Sequence, residues 1–215
     1  MKAGSTGTSV ELTPNSRPFL IKRLLSDGFD TVLLFGLFML FTSLIMKLPL
    51  AGTYHAHYES AAAILEETRE RLQNDAAAIS EELRNNYEYR NALFAANLHG
   101  YLLKMLVAFL AEALVFLLVP LLSKDRQTLG KLLTEVMPFS EKRQSRIKWY
   151  QVTARFLFIF FLDSCGLYLV TGILTFLLVP VLRLIEMLLN KKNKTVCDFV
   201  TFVFIIEKRS YDGIG

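Results

Sequence analysis

Arg23 and Asp30 stand seven residues apart at the mouth of a long apolar run, and Asp198 follows the last such run. On a continuous helix a separation of seven is about two turns, so both groups share one face roughly 10 Å apart. Asp27, four residues after Arg23, is nearer and better placed for a direct pair. Sixteen uncharged residues, Thr31 to Met46, separate Asp30 from Lys47. Ionised groups beside hydrocarbon cost on the order of several kcal/mol unless they are paired or hydrated. The chemistry implied is a buried charged site, suited either to locking a helix bundle or to holding a proton or cation.

Glu112 and Asp163 fall near the middle of later apolar runs. A mid-span carboxylate is either an ion-linked group or a neutral acid hydrogen-bonded to a neighbouring helix. Lys104 precedes Glu112 by eight residues, and Arg155 precedes Asp163 by eight. Eight residues turn two side chains roughly 80° apart, so both acids need partners from other helices. His55, His57 and His99 lie near the ends of apolar runs with Glu59 close by. One His-x-His and a distant third His read as interfacial histidines rather than a metal site. Gly130-Lys131 is not a phosphate loop, because Asp125 occupies the position of the earlier glycine. No Ser/His/Asp or Cys/His set falls on one side of a membrane, so no enzymatic activity and no cofactor are expected.

These groups are carried by an unusually apolar chain: 53% of 215 residues are hydrophobic and 17 are Phe, too many for an ordinary soluble domain. The apolar residues gather in blocks, which favours membrane spans over a water-soluble core. Segment 51–99 has eight acids against four arginines, a charge of −4, whereas 123–150 has seven basic residues against three acids, a charge of +4. Residues 1–30 and 190–215 come to +1 and +2. The positive-inside rule then puts 51–99 outside and both termini in the cytoplasm, with the protein in the cell membrane. The basic residues flank apolar runs instead of forming an aromatic-interleaved stripe, which excludes nucleic acid as a partner. Cys165 and Cys197 are expected as free thiols.

The organisation expected is a disordered lead over 1–17, one membrane domain over 18–208 and a tail over 209–215. Pro18 opens a short interfacial helix, and the first span then runs from about Asp30 to Leu48, ended by Pro49 and Gly52. The insertion 51–99 reads as an outer helical hairpin, with Leu65, Leu72 and Ile79 in a heptad stripe and a turn at Asn85-Asn86. A helix from Tyr87 continues into a second span over about 100–122. Residues 123–150 form a cytoplasmic loop, extended over 132–140. The apolar stretch 152–189 would reach roughly 57 Å as one helix, too long for one crossing. It fits two short spans turning near Gly166–Gly172, or one tilted span and an interfacial helix. The β-branched and aromatic residues 199–206 suit a strand pairing with 132–140. The fold class is thus an all-α polytopic membrane protein with about four membrane-embedded helices and a small cytoplasmic β-ribbon.

Together, Arg23 and Asp30, the loop Thr128-Leu129-Gly130-Lys131, and Thr195-Val196-Cys197-Asp198 before a hydrophobic strand resemble the RDD family of membrane proteins. That family is named for one Arg and two Asp, matched here by Arg23, Asp30 and Asp198. The resemblance covers about 18–50 and 100–208 and leaves the hairpin unexplained. Cys197 stands where the family usually has His, and Phe202 where it has a small residue. The resemblance implies transport of unidentified ligands, with sodium/proton antiport proposed for some members.

Two functions follow as expectations. One is ion- or proton-coupled transport through Asp30, Glu112 and Asp163. The other is a non-transporting scaffold or accessory subunit, binding a partner through the hairpin or the ribbon. Four short segments form a small bundle, so transport would call for a homo-oligomer or a membrane partner within the lipid bilayer.

Overall fold

The computed structural model describes residues 17–140, 145–167, 172–189 and 194–207. The expected N-terminal lead, up to residue 16, and the C-terminal tail lie outside the described residues, as does the side chain of Asp163. The chain divides into two compact units, one of Met1–Phe35 with Glu112–Gly215 and the other of Gly36–Ala111.

The chain opens with α1, one uninterrupted helix over Arg17–Ile45. The separate interfacial helix expected before Asp30 is not formed. No Pro stands between Pro18 and Pro49, and Gly28 and Gly36 alone do not break a helix of this apolarity.

In the unit Gly36–Ala111, α2 (Gly52–Arg71) ends at a turn where Gln73 and Asn74 take left-handed φ of 51° and 63°. Asp75 then caps α3 (Ala76–Asn85), accepting from the N–H groups of Ala77 and Ala78 at 3.0 and 3.3 Å. This turn runs through Leu72, so Leu65, Leu72 and Ile79 do not form a continuous stripe. The sequence signal for the break is Gln73-Asn74-Asp75, a left-handed pair followed by a helix cap. Arg71 pairs with Glu82 across the turn. Asn86 accepts from the Tyr89 N–H at 2.9 Å and starts α4, Tyr87–Glu112, where a second helix was expected. Tyr54 packs over Gly100, and the rings of His57 and His99 stack at 5.4 Å.

In the other unit, α4 passes into a wide π turn over Ala113–Leu118 and then into α5 (Val119–Leu122). Pro120 lacks the N–H of a regular turn, and the Val119 N–H reaches back five residues to Leu114. Thr128 caps α6 (Leu129–Leu133), which occupies the start of the segment expected to be extended. A three-stranded antiparallel sheet follows, ordered β2-β1-β3, with β1 at Val136–Ser140, β2 at Ser145–Arg146 and β3 at Val203–Glu207. Val136 faces Glu207 and Ser140 faces Val203, so the expected ribbon forms between these two regions. Phe19, Val136 and Ile205 form one buried cluster, and Ile147, Val152 and Val203 another, with Leu117 and Leu121 packed against it.

The described residues of the stretch 152–189 fall in two parts, before and after 168–171. α7 (Trp149–Ile159) continues through a π segment over Phe160–Leu167, and a tight turn at Gly172–Leu174 leads into α8 (Thr175–Leu189). Residues 196–200, expected partly as strand, form the single-turn helix α9 (Val196–Val200) instead. Thr195 and Asp198 make a reciprocal capping box there, and this local pairing overrides the β-branched composition.

Among the described residues, two helical segments are long and apolar enough to cross a membrane, Phe19–Ile45 and Tyr87–Leu122. Trp149–Leu162 is a shorter apolar helix.

Candidate functional site

The first half of α1 is polar on the inside. Phe19, Arg23, Ser26, Asp27 and Asp30 recur at helical spacing and are all buried, while Phe29 and Val32 on the opposite side are exposed. Such an arrangement suits a helix whose outer surface meets hydrocarbon and whose inner surface meets protein charges.

Arg23 pairs with Asp198, not with the nearer Asp27. Asp198 is fully buried and takes a second guanidinium, that of Arg155 on α7, at 2.6 Å. It also accepts the Thr195 N–H at 3.2 Å. The capping box of α9 therefore turns the carboxylate toward both arginines. Burial alone would push its carboxyl up, but Arg23 and Arg155 outweigh that and hold it well below the usual carboxylate range.

Asp30 is held differently. Its carboxylate accepts from the Thr128 hydroxyl and from the Gly130 N–H at 2.8 Å, and the Lys131 ammonium lies 3.7 Å away. The same ammonium is 3.9 Å from Asp27. Gly130 permits the contact: a Cβ there would fall 2.2 Å from the Ser26 carbonyl oxygen and 2.9 Å from the Asp30 carboxylate. Only a residue without a side chain allows α6 this close to α1.

Arg23, Asp27, Thr128, Lys131, Arg155 and Asp198 all line one cavity of about 50 Å³. Of the three expected residues, Arg23 and Asp198 pair directly, and Asp30 lies on the same buried face of α1 beside Lys131, which lines the cavity. Glu112 is also buried, 3% exposed, at the last position before the π turn of Ala113–Leu118. Asp163 falls within the π segment Phe160–Leu167, and its side chain lies outside the described residues. Glu112 is not among the described residues that line the cavity around Asp198.

Spacing alone missed Arg155 as a partner of Asp198 and missed the cradle that Thr128 and Gly130 make for Asp30. The Thr128-x-x-Lys131 cap and the Thr195-x-x-Asp198 box were the available signals. Among the described residues, no group of three or more His, Cys, Asp or Glu is placed to hold a metal ion.

No curated protein and no solved structure matched the chain. A family model described as the RDD family matches residues 17–201, a stretch that contains Arg23, Asp30 and Asp198 together with Thr128, Lys131 and Arg155, and the chain belongs to that family.

Proposed function

We propose that the chain is a multi-pass protein of the cell membrane, with four embedded helical segments and both termini cytoplasmic, that moves a proton or small cation across the bilayer. The observation that carries this reading is Glu112, a carboxylate 3% exposed in a helix long and apolar enough to span. A buried mid-span acid is costly and is retained where it binds or relays an ion. It adjoins a π turn, a feature frequent at functional sites because it widens the helix and redirects side chains. Asp163 falls in a second π segment of the same kind.

We infer another part for Asp30 and Asp198. Both carboxylates already have protein donors, and Asp198 is held charged by two guanidinium groups. We assign them to fixing the end of the bundle and assign the titrating step to Glu112. No catalysed reaction, metal or cofactor belongs to this reading.

The saturated Arg–Asp cluster also favours a second reading, a non-transporting accessory subunit that binds a membrane partner. Purified protein in proteoliposomes separates the two, with proton and sodium flux followed under imposed gradients. Flux that Glu112→Gln abolishes while the protein stays folded supports transport. Absence of flux, together with a stable co-purifying membrane protein, supports the accessory role.

A further inference from the structure

Two short segments of the chain are built alike. Thr128 caps α6 and Thr195 caps α9, each hydroxyl accepting the N–H three residues on, that of Lys131 at 3.4 Å and that of Asp198 at 3.3 Å. Thr134 and Thr201 end the same two helices. Each donates its hydroxyl to the carbonyl oxygen four residues back, Gly130 at 2.9 Å and Cys197 at 2.7 Å. Glu135 and Phe202 then take left-handed φ of 57° and 52°, and strands open at Val136 and Val203. These strands pair antiparallel, Val136 with Glu207 and Ser140 with Val203, so a local twofold between Pro138 and Ile205 exchanges the two segments. They differ in the charge turned to α1. Lys131 stands beside Asp27 and Asp30, and its counterpart Asp198 pairs with Arg23.

The outward positions match as well. Leu129, Leu132 and Leu133 on α6 are exposed, and so are their counterparts Val196, Phe199 and Val200 on α9. Phe199 is 68% exposed and Leu133 67%. What these faces meet is set by their height along α1. Residues Arg23 to Asp30 fall inside the apolar helix Phe19–Ile45, and on the outer side of the same turns Leu25, Phe29 and Val32 are exposed. Both short helices cover the inner side of those turns, Gly130 against Asp30 and Asp198 against Arg23. One surrounding medium therefore bathes the outer faces of α1, α6 and α9. In hydrocarbon every backbone polar group must be satisfied from within the protein. The threonine hydroxyls at both ends serve that need in helices only one turn long.

We propose that α6 and α9 are a pair of membrane-inserted wedges, their exposed leucine, valine and phenylalanine side chains seated among lipid acyl chains at one face of the bilayer. Helices with an apolar face of this kind lie at the boundary of headgroups and acyl chains. The wedges rest on the membrane reading but not on ion movement, and a protein that transports nothing would still carry them. They add two inserted elements to the four embedded segments, within stretches whose sequence reads as cytoplasmic loop and strand.

The test is electron paramagnetic resonance of full-length protein in phosphatidylcholine–phosphatidylglycerol vesicles. One nitroxide per chain is placed by Leu133→Cys, Phe199→Cys, Val32→Cys or Glu81→Cys, with Cys165→Ser and Cys197→Ser. Molecular oxygen concentrates in hydrocarbon and a nickel chelate stays in water. Labels at 133 and 199 should behave like the label at 32 and relax more with oxygen than with nickel. The label at exposed Glu81 should do the reverse. Nickel exceeding oxygen at either wedge, with position 32 still in hydrocarbon, overturns the wedges and spares the membrane reading. Nickel exceeding oxygen at position 32 as well overturns both. Wedge labels shielded from both reagents mean that protein covers them, a partner or a second copy, and overturn lipid as the occupant. A second readout keeps both native cysteines: Leu133→Trp or Phe199→Trp in a Trp149→Phe chain, which removes the one native Trp. Brominated acyl chains should quench that fluorescence and aqueous iodide should not, and the opposite pattern again overturns the wedges.

Discussion

The backbone N–H of Gly130 donates to the carboxylate of Asp30 at 2.8 Å, across a hundred residues of sequence. The contact depends on the missing side chain, because a Cβ at 130 would stand 2.2 Å from the Ser26 carbonyl oxygen. Backbone cannot yield as a flexible side chain can. Gly130→Ala is therefore expected to force α1 and α6 apart and to destabilise the protein by about 1–3 kcal/mol, the usual range for overpacking. A thermal-shift series in detergent checks this, and an unchanged melting temperature would mean the two elements are not held together here.

Asp198→Asn is expected to be more damaging. It leaves Arg23 and Arg155 buried against a neutral amide, a change that costs about 3–5 kcal/mol when one partner of a buried pair is removed. Replacing Arg155 with Gln in the same chain should return part of that loss, since one uncompensated cation is then gone. A double-mutant cycle measures the coupling, and strictly additive effects would contradict a shared carboxylate.

The same carboxylate gives a pH dependence. Its folded-state ionisation lies below the unfolded value, so the unfolded chain binds more protons as acid is added. The stabilisation is fully present above the ordinary Asp value of about 3.9 and is lost as pH falls toward the lower folded value. Acid unfolding followed by near-UV circular dichroism should show a steeper loss below about pH 4 in the wild type than in Asp198→Asn.

Topology can be read from single cysteines in a chain carrying Cys165→Ser and Cys197→Ser. Ser60 and Lys124 are both exposed, and the proposed arrangement puts them on opposite sides of the bilayer. An impermeant maleimide added to intact cells should label Ser60→Cys and spare Lys124→Cys. The reverse pattern would invert the protein.

Spacing and composition carried the reading of this chain as far as local physics reaches. Arg23, Asp30 and Asp198 stood out because charge beside hydrocarbon is rare, and all three are buried, Arg23 paired with Asp198 and Asp30 on the same face of α1 as Arg23. Arg155 did not stand out, since its partner lies 43 residues away on an element whose return path no spacing reveals. The strand from Val203 was legible in β-branched and aromatic residues. Its start was misplaced because Phe199 and Val200, of the same composition, belong to a helix set by the Thr195–Asp198 capping box. Asp27 was expected to take Arg23 by helical proximity, but Asp198, reached through the tertiary fold, takes it instead.

The order of synthesis gives the cradle around Asp30 a further meaning. Asp30 leaves the ribosome 98 residues before Thr128, and Arg23 leaves it 175 residues before Asp198. The first apolar helix thus emerges with its polar stripe unanswered, and water at one end of the helix must hydrate those charges until the later segments arrive. The close approach at Gly130 and the arrival of Asp198 then answer that stripe, so a turn of helix made late, Val196–Val200, completes the first.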